Sequence, residues 1–287
     1  MNFRSFALAA LSIPLLARVA SATDSGTTAG PTQILAQVPS PAPDTTQAAF
    51  DSIHAPWTDI LAKRVRGGDF DYAGLKKDRA PLDAYVAALE AVKPERFQAL
   101  TKREQFAFWA NAYNAFTVKR VLDGYPVQSI RDLGDDKTSV WDREFVPLGR
   151  LFPKLGKEKL TLNDVENKIL RPEFKDARVH AAINCASKGC PALRAEAFTA
   201  AKLDAQLDEQ VRAWLADGSR NRFDRAKSEI EISRVFEWFA EDFQKESGSV
   251  RAWIARFRPA DKEWLDAPAM VAVKYVEYDW ALNETKP

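Results

Sequence analysis

Residues 101–124 read TKREQFAFWANAYNAFTVKRVLDG. Thr101 and Glu104 stand three apart ahead of an apolar run, which is the pattern of a capping box, and Gly124 follows the last periodic residue. The spacing predicts the strongest helix of the chain. Two asparagines, Asn111 and Asn114, lie three apart among Phe106, Phe108, Trp109, Tyr113 and Phe116. Asparagine competes for backbone hydrogen bonds and is poor inside a helix. Buried amides need partners, so both are expected to bond a neighbouring segment. Either they tie down a loop, or Asn111, Tyr113 and Asn114 line a pocket and orient a base or substrate.

Helical patterns flank this stretch. Phe50, Ile53, Trp57, Ile60 and Leu61 recur at helical spacing, and Pro81 opens PLDAYVAALEAV with Leu82, Tyr85, Val86 and Leu89 on one face. Residues 141–161 alternate around Gly149 and Gly156, which predicts short strands and a hairpin. Thr161 and Asp164 open a helix, LNDVENKIL, expected to stop before Pro172. ARVHAAIN reads as a buried strand. A helix capped by Thr199 runs to about Asp217, EIEI is a short strand, Ser233 caps RVFEWFAEDF, and MVAVKYVEY is a last strand. The expected fold class is therefore α+β: a helix-rich single domain with a small, mostly antiparallel sheet in the second half, without regular βαβ alternation.

The ends bound the function. Residues 1–22 carry Arg4, an apolar run interrupted by Arg18, and Ala20-Ser21-Ala22, the pattern of a cleaved secretory signal. The run is short for a spanning helix, which needs about 20 apolar residues. Residues 23–46 are rich in Thr, Pro and Ser and read as a flexible tether, leaving 47–287 as one globular domain. The expected location is periplasmic or secreted, with no membrane span once the signal is removed. Loss of residues 1–22 leaves 39 basic and 40 acidic residues, so no basic excess recruits nucleic acid. The expected partner is a small molecule or peptide. His54 and His180 lie far apart in sequence, so Cys185, Cys190 and His180 supply at most three of the four ligands a structural zinc site wants, and no phosphate-binding glycine loop or G-x-S-x-G elbow is present; neither metal nor cofactor is expected.

Residues 179–193, VHAAINCASKGCPAL, hold both cysteines and His180. In an exported protein, Cys185 and Cys190 could close a disulfide. The other reading is a thiolate nucleophile, which needs a lowered pKa and a base nearby. Strand alternation would put His180 and Cys185 on opposite faces. Cys190, just before Pro191 at an expected helix start, has the better local support. Glu166 precedes this segment and is a carboxylate that could hold the imidazole.

The order FWANAYNAF, YPVQSI, LNDVENKILR, RVHAAINCASKGCPAL, ISRVFEWFAEDF and YDWALN resembles the family catalogued as domain of unknown function 547. The resemblance runs from about Phe50 to Asn283. It implies a polar set of Glu166, His180 and Cys185, with Cys190 an optional partner, and it matches Asn111, Tyr113 and Asn114 to the family's helix motif. This sequence has Ala110 and Ala181 where the family often has larger apolar residues. Two functions follow as expectations. In one, Cys185 is the nucleophile, His180 its base and Glu166 the orienting group of an exported thiol hydrolase or acyl-transferase. In the other, a Cys185–Cys190 disulfide staples a non-catalytic binding module.

Overall fold

A computed structural model describes residues 50–267 and 271–285. The signal and tether segments, 1–22 and 23–46, lie outside the described residues. The first half is helical. Helix α1 (Ala55–Arg64) leads through a short hairpin, β1 (Val65–Arg66) and β2 (Asp69–Phe70), into α2 (Tyr72–Lys77), α3 (Ala80–Glu90), α4 (Pro94–Gln98) and the long α5 (Lys102–Gly124). Thr101 and Glu104 close the expected capping box: Glu104 Oε2 accepts from the Thr101 amide at 2.7 Å, and Thr101 Oγ1 from the Glu104 amide at 3.3 Å. α5 is buried nearly all round and centres the first core, with Trp57, Tyr85, Phe108, Trp109 and Phe116 withdrawn from water. Each such side chain contributes about 1.5–3 kcal/mol by burial.

The expected hairpin at 141–161 is absent. Short 3-10 turns fill this stretch, and a single bridge joins Val146 to Leu160. The helix opened by Thr161 and Asp164 forms, but it does not stop at Pro172. A π-helical stretch, Asp164–Leu170, runs directly into α6 (Arg171–Phe174). The Arg171 amide reaches back to the Glu166 carbonyl. Proline removes one helical donor and crowds the carbonyl four residues back. The widened turn just before Pro172 accommodates both effects, and π-turns of this kind concentrate at functional sites.

ARVHAAIN is not a strand. Val179–Ala182 forms one helical turn, α7, and Ile183 then turns extended. Alternation across a strand therefore places no constraint on His180 and Cys185. Helix α8 (Leu203–Ala216) begins after Lys202 and is not capped by Thr199. The sheet of the second half has three strands: β3 (Arg222–Asp224), β4 (Glu229–Ser233) and β5 (Ala272–Val276). β4 pairs antiparallel with β3 and parallel with β5, so only one of its two pairings has the expected sense. Ile230 and Ile232 point inward from β4 while Glu229 and Glu231 are partly exposed.

The aromatic helix predicted at RVFEWFAEDF is broken in two. α9 (Val235–Trp238) and α10 (Ala240–Ser247) meet at Phe239, and α11 (Val250–Phe257) and α12 (Lys262–Asp266) follow. With α8 and the sheet they enclose a second core, where Trp214 stacks on Phe236 at 4.3 Å and Phe243 meets Trp253 edge-on. Among the described residues no helix is long and apolar enough to cross a membrane.

Candidate functional site

A pocket of about 190 Å³ opens between the two cores, lined in part by Tyr113, Glu166, His180, Cys185, Cys190 and Tyr278. Asn167 also lines a neighbouring cavity of about 520 Å³, whose wall includes Arg171 and Asp242.

The loop bearing the cysteines is held by asparagines. Asn114 Nδ2 donates to the Ala182 carbonyl at 2.9 Å, and its Oδ1 accepts from the Asn184 amide at 2.8 Å. Asn184 in turn bonds the Pro191 carbonyl and the Ala186 amide, each at 2.8 Å. Ala186 has φ of 61°, a left-handed conformation that costs a non-glycine residue strain. The Asn184 side chain and the Asn283 amide, which donates to the Ala186 carbonyl, hold it there. Asn111 clamps the Phe198 amide and carbonyl at 3.0 and 2.8 Å. Both helix asparagines are thus loop ties. Of the three expected pocket residues, only Tyr113 lines the pocket.

The C-terminal segment completes the loop. Lys188 and Gly189 donate to the carbonyls of Ala281 and Asp279, and this pairing brings Tyr278 over the thiols. A Cβ on Gly189 would lie 2.9 Å from the Tyr278 ring, so glycine is required for the close approach.

Both cysteines are free thiols; Cys190 is buried and Cys185 half-buried. Cys190 Sγ accepts from the Cys185 amide at 3.0 Å and lies 3.1 Å from Tyr278 Oη and 3.4 Å from Ser187 Oγ. Cys185 Sγ shares the same two hydroxyls, at 3.3 and 3.1 Å. Burial works against a thiolate at Cys190, but the hydrogen bonds from Cys185, Ser187 and Tyr278 outweigh it and hold the thiol below its usual range. The Cys185 thiol is pushed up by its hydrogen bond to Cys190, by burial and by the Cys190 charge. Tyr278 is pushed up by burial and by the two sulfurs, so it stays protonated and donates. The helix start expected at Pro191 is absent; two hydroxyls and the Cys185 amide support the thiolate instead.

The imidazole has a different partner from the one expected. His180 Nε2 lies 2.8 Å from Asp242 Oδ2, while Glu166 Oε2 accepts from Tyr113 Oη at 3.3 Å. Asp242, not Glu166, therefore orients His180. Arg171 also grips Asp242, Nε to Oδ2 at 2.6 Å and Nη2 to Oδ1 at 3.0 Å. Burial disfavours the Asp242 carboxylate, but His180 and Arg171 hold it well below the carboxylate range. An ionised acceptor requires Nε2 to carry the proton. Burial lowers the His180 pKa against the pull of Asp242, which keeps the ring neutral. Phe239 stacks on the ring at 4.1 Å, placed there by the break between α9 and α10.

Glu166 sits in the π-turn. Burial raises its pKa to about 7; Arg171 lowers it and the Cys190 charge raises it. A carboxyl that titrates near neutrality beside a stabilised thiolate is suited to proton transfer. Ser187, Asp242 and Tyr278 do not stand out in the sequence, although each lies in a quoted motif or at its first residue: Ser187 in RVHAAINCASKGCPAL, Asp242 in ISRVFEWFAEDF and Tyr278 opening YDWALN. A polar residue kept inside an otherwise apolar motif is the readable signal. Among the described residues no group of three or more His, Cys, Asp or Glu side chains is placed to hold a metal ion.

Fold and site together define a helix-rich α+β protein with a dithiol pocket between two cores. Residues 97–215 match the family model described as "Protein of unknown function, DUF547", the family that the motif order resembles. Glu166, His180 and both cysteines lie inside the matched segment; Asp242 and Tyr278 lie beyond it. No curated protein and no solved structure matches the chain.

Proposed function

We propose that this protein is an exported, cysteine-dependent acyl-transferase or hydrolase acting on an amide or thioester of a small molecule or peptide. The observation that carries the proposal is the convergence of the Cys185 amide and the Ser187 and Tyr278 hydroxyls on Cys190 Sγ, beside a carboxyl that titrates near neutrality. The motif resemblance favours Cys185 as nucleophile; the donor geometry favours Cys190, and Cys190 is the proposed one. Its thiolate adds to the carbonyl carbon, forming a C–S bond as the carbonyl electron pair moves to oxygen. Collapse expels an amine or thiol, which takes the proton of Glu166. The ionised Glu166 then takes a proton from water or an acceptor as that nucleophile adds to the thioester carbon and releases the Cys190 thiolate. His180, neutral and oriented by Asp242, is the pocket's second proton acceptor. The small pocket takes the acyl group and the neighbouring cavity the rest of the donor. The signal-like residues 1–22 support export to the periplasm or beyond.

The test is intact-mass analysis after incubation with a short-chain acyl thioester such as S-acetyl-N-acetylcysteamine. An acyl adduct that maps to Cys190 and is lost in Cys190→Ser is the expected result. An adduct that survives Cys190→Ser and is lost in Cys185→Ser returns the nucleophile to Cys185. No adduct on either sulfur overturns the acyl-transfer reading.

A further inference from the structure

The two sulfurs share more than a pocket. Each bonds the same pair of hydroxyls, Ser187 Oγ and Tyr278 Oη, and the Cys185 amide donates to Cys190 Sγ. The chain between them doubles back through left-handed Ala186, and the Cys190 amide returns to the Ser187 carbonyl at 3.1 Å. An acyl-transfer site needs one thiol, so a second sulfur held against the first is not explained by that chemistry.

We propose that Cys190 and Cys185 form a reactive dithiol that exchanges with low-molecular-weight disulfides, closing reversibly to a Cys185–Cys190 disulfide. The Cys190 thiolate attacks one sulfur of RSSR; an S–S bond forms to Cys190 and RS⁻ leaves. RS⁻ takes the Cys185 proton and departs as RSH. The Cys185 thiolate then attacks Cys190 Sγ, the internal disulfide forms, and a second RS⁻ leaves. RSSR is reduced by two electrons, and the dithiol is oxidised by the same two. The first step prepares the second. Once Cys190 carries SR, it no longer holds the charge and the hydrogen bond that push the Cys185 thiol up, so Cys185 loses its proton more readily. The half-buried position of Cys185, open to the pocket, leaves it free to resolve the mixed disulfide. Closure consumes the proposed acyl-transfer nucleophile, and that consequence alone rests on the acyl-transfer reading.

The test treats the reduced protein with 2-hydroxyethyl disulfide near pH 7 and maps both cysteines by mass spectrometry without reductant. Wild type is expected to yield the internal disulfide with no retained adduct, and dithiothreitol is expected to restore both thiols. Cys185→Ser is expected to retain a hydroxyethylthio adduct on Cys190. Cys190→Ser is expected to react at Cys185 about tenfold more slowly, since Cys185, although relieved of the Cys190 charge, has the two hydroxyls but not the amide donor that Cys190 has. A wild-type protein that retains the adduct without closing, or equal rates in the two variants, overturns the proposal. Circular dichroism of both variants separates slow exchange from failure to fold. The readout is the state of the sulfurs and not turnover. A chain that closes its disulfide but never forms an acyl adduct keeps this proposal and loses the acyl-transfer reading. A chain that forms the acyl adduct but never closes its disulfide keeps acyl transfer and loses the exchange chemistry.

Discussion

At the scale of single residues, the site turns on which carboxylate serves which partner. The sequence offers Glu166, on the helix that precedes the His180 segment, because consecutive elements are usually neighbours. The structure instead gives His180 to Asp242, 62 positions away, and leaves Glu166 beside Tyr113. Each assignment has a separate expected outcome. Asp242→Asn is expected to change the His180 tautomer balance and to lower its pKa further, since the attraction that opposes burial is removed. Glu166→Gln is expected to leave the tautomer unchanged. Nitrogen-15 NMR of the imidazole reads both. For the proposed chemistry, the acid form of Glu166 is present below about pH 7 and lost above it. The rate of acyl-adduct formation is therefore expected to fall as pH rises through that value. In Glu166→Gln the rate is expected to drop about 10²–10⁴-fold and this limb of the profile to flatten. A variant that keeps the limb would remove Glu166 from the proton transfer.

At the scale of elements, legibility follows the physics of each signal. The start of α5 can be read from Thr101 and Glu104 because a capping box is local chemistry. The turn at Val179–Ala182 reads as a strand because a short apolar run has the same pattern in a buried helix and a buried strand. The π-turn at Asp164–Leu170 and the break at Phe239 leave no periodic trace, yet they place Glu166 and the ring over His180. The Asn pair is legible as buried amides, while their choice of loop over pocket depends on tertiary neighbours. Asn114 makes that choice measurable. Asn114→Ala leaves the Ala182 carbonyl and the Asn184 amide unpaired in the interior. Each lost partner costs about 1–3 kcal/mol, so a fall in melting temperature of roughly 5–20 °C is expected by calorimetry. Because Asn184 carries the strained Ala186, thiol reactivity in this variant is also expected to lose its preference for Cys190. An unchanged preference would show that α5 does not position the cysteine loop.

At the scale of the molecule, the site lies where two cores meet, and its buried ionisable groups couple function to stability. Glu166 is raised from 4.5 to about 7, so the folded chain holds its proton more tightly than the unfolded chain. Its contribution is complete below pH 4.5 and is lost as pH rises through about 7. His54 acts in the opposite sense. It is buried in the first core with Nδ1 2.8 Å from Tyr85 Oη, and desolvation lowers its pKa from 6.5 to about 3. The unfolded chain binds the proton first, so this contribution is whole above 6.5 and lost as pH falls toward 3. The full shift corresponds to roughly 5 kcal/mol, of which about 3 kcal/mol has gone by pH 4.5. Asp164 and Asp242, both held below the carboxylate range, lose stability in the same direction at lower pH. Between pH 6.5 and 4.5 the gain from Glu166, about 2 kcal/mol, offsets most of the loss from His54, so the histidine is isolated by comparison with a chain that lacks it. Urea unfolding of wild type is therefore expected to show a smaller change in midpoint between pH 6.5 and pH 4.5 than His54 alone would cause, which is on the order of 1 M given the usual urea slopes. His54→Phe removes the titrating ring and keeps an aromatic volume among Phe50, Tyr85 and Phe108. Its midpoint is expected to gain on the wild-type midpoint by about that margin as pH falls from 6.5 to 4.5, at some fixed cost from the unpaired Tyr85 hydroxyl. If the substituted chain keeps the wild-type slope, acid sensitivity originates instead at the seam between the cores, where His180 and Asp242 titrate.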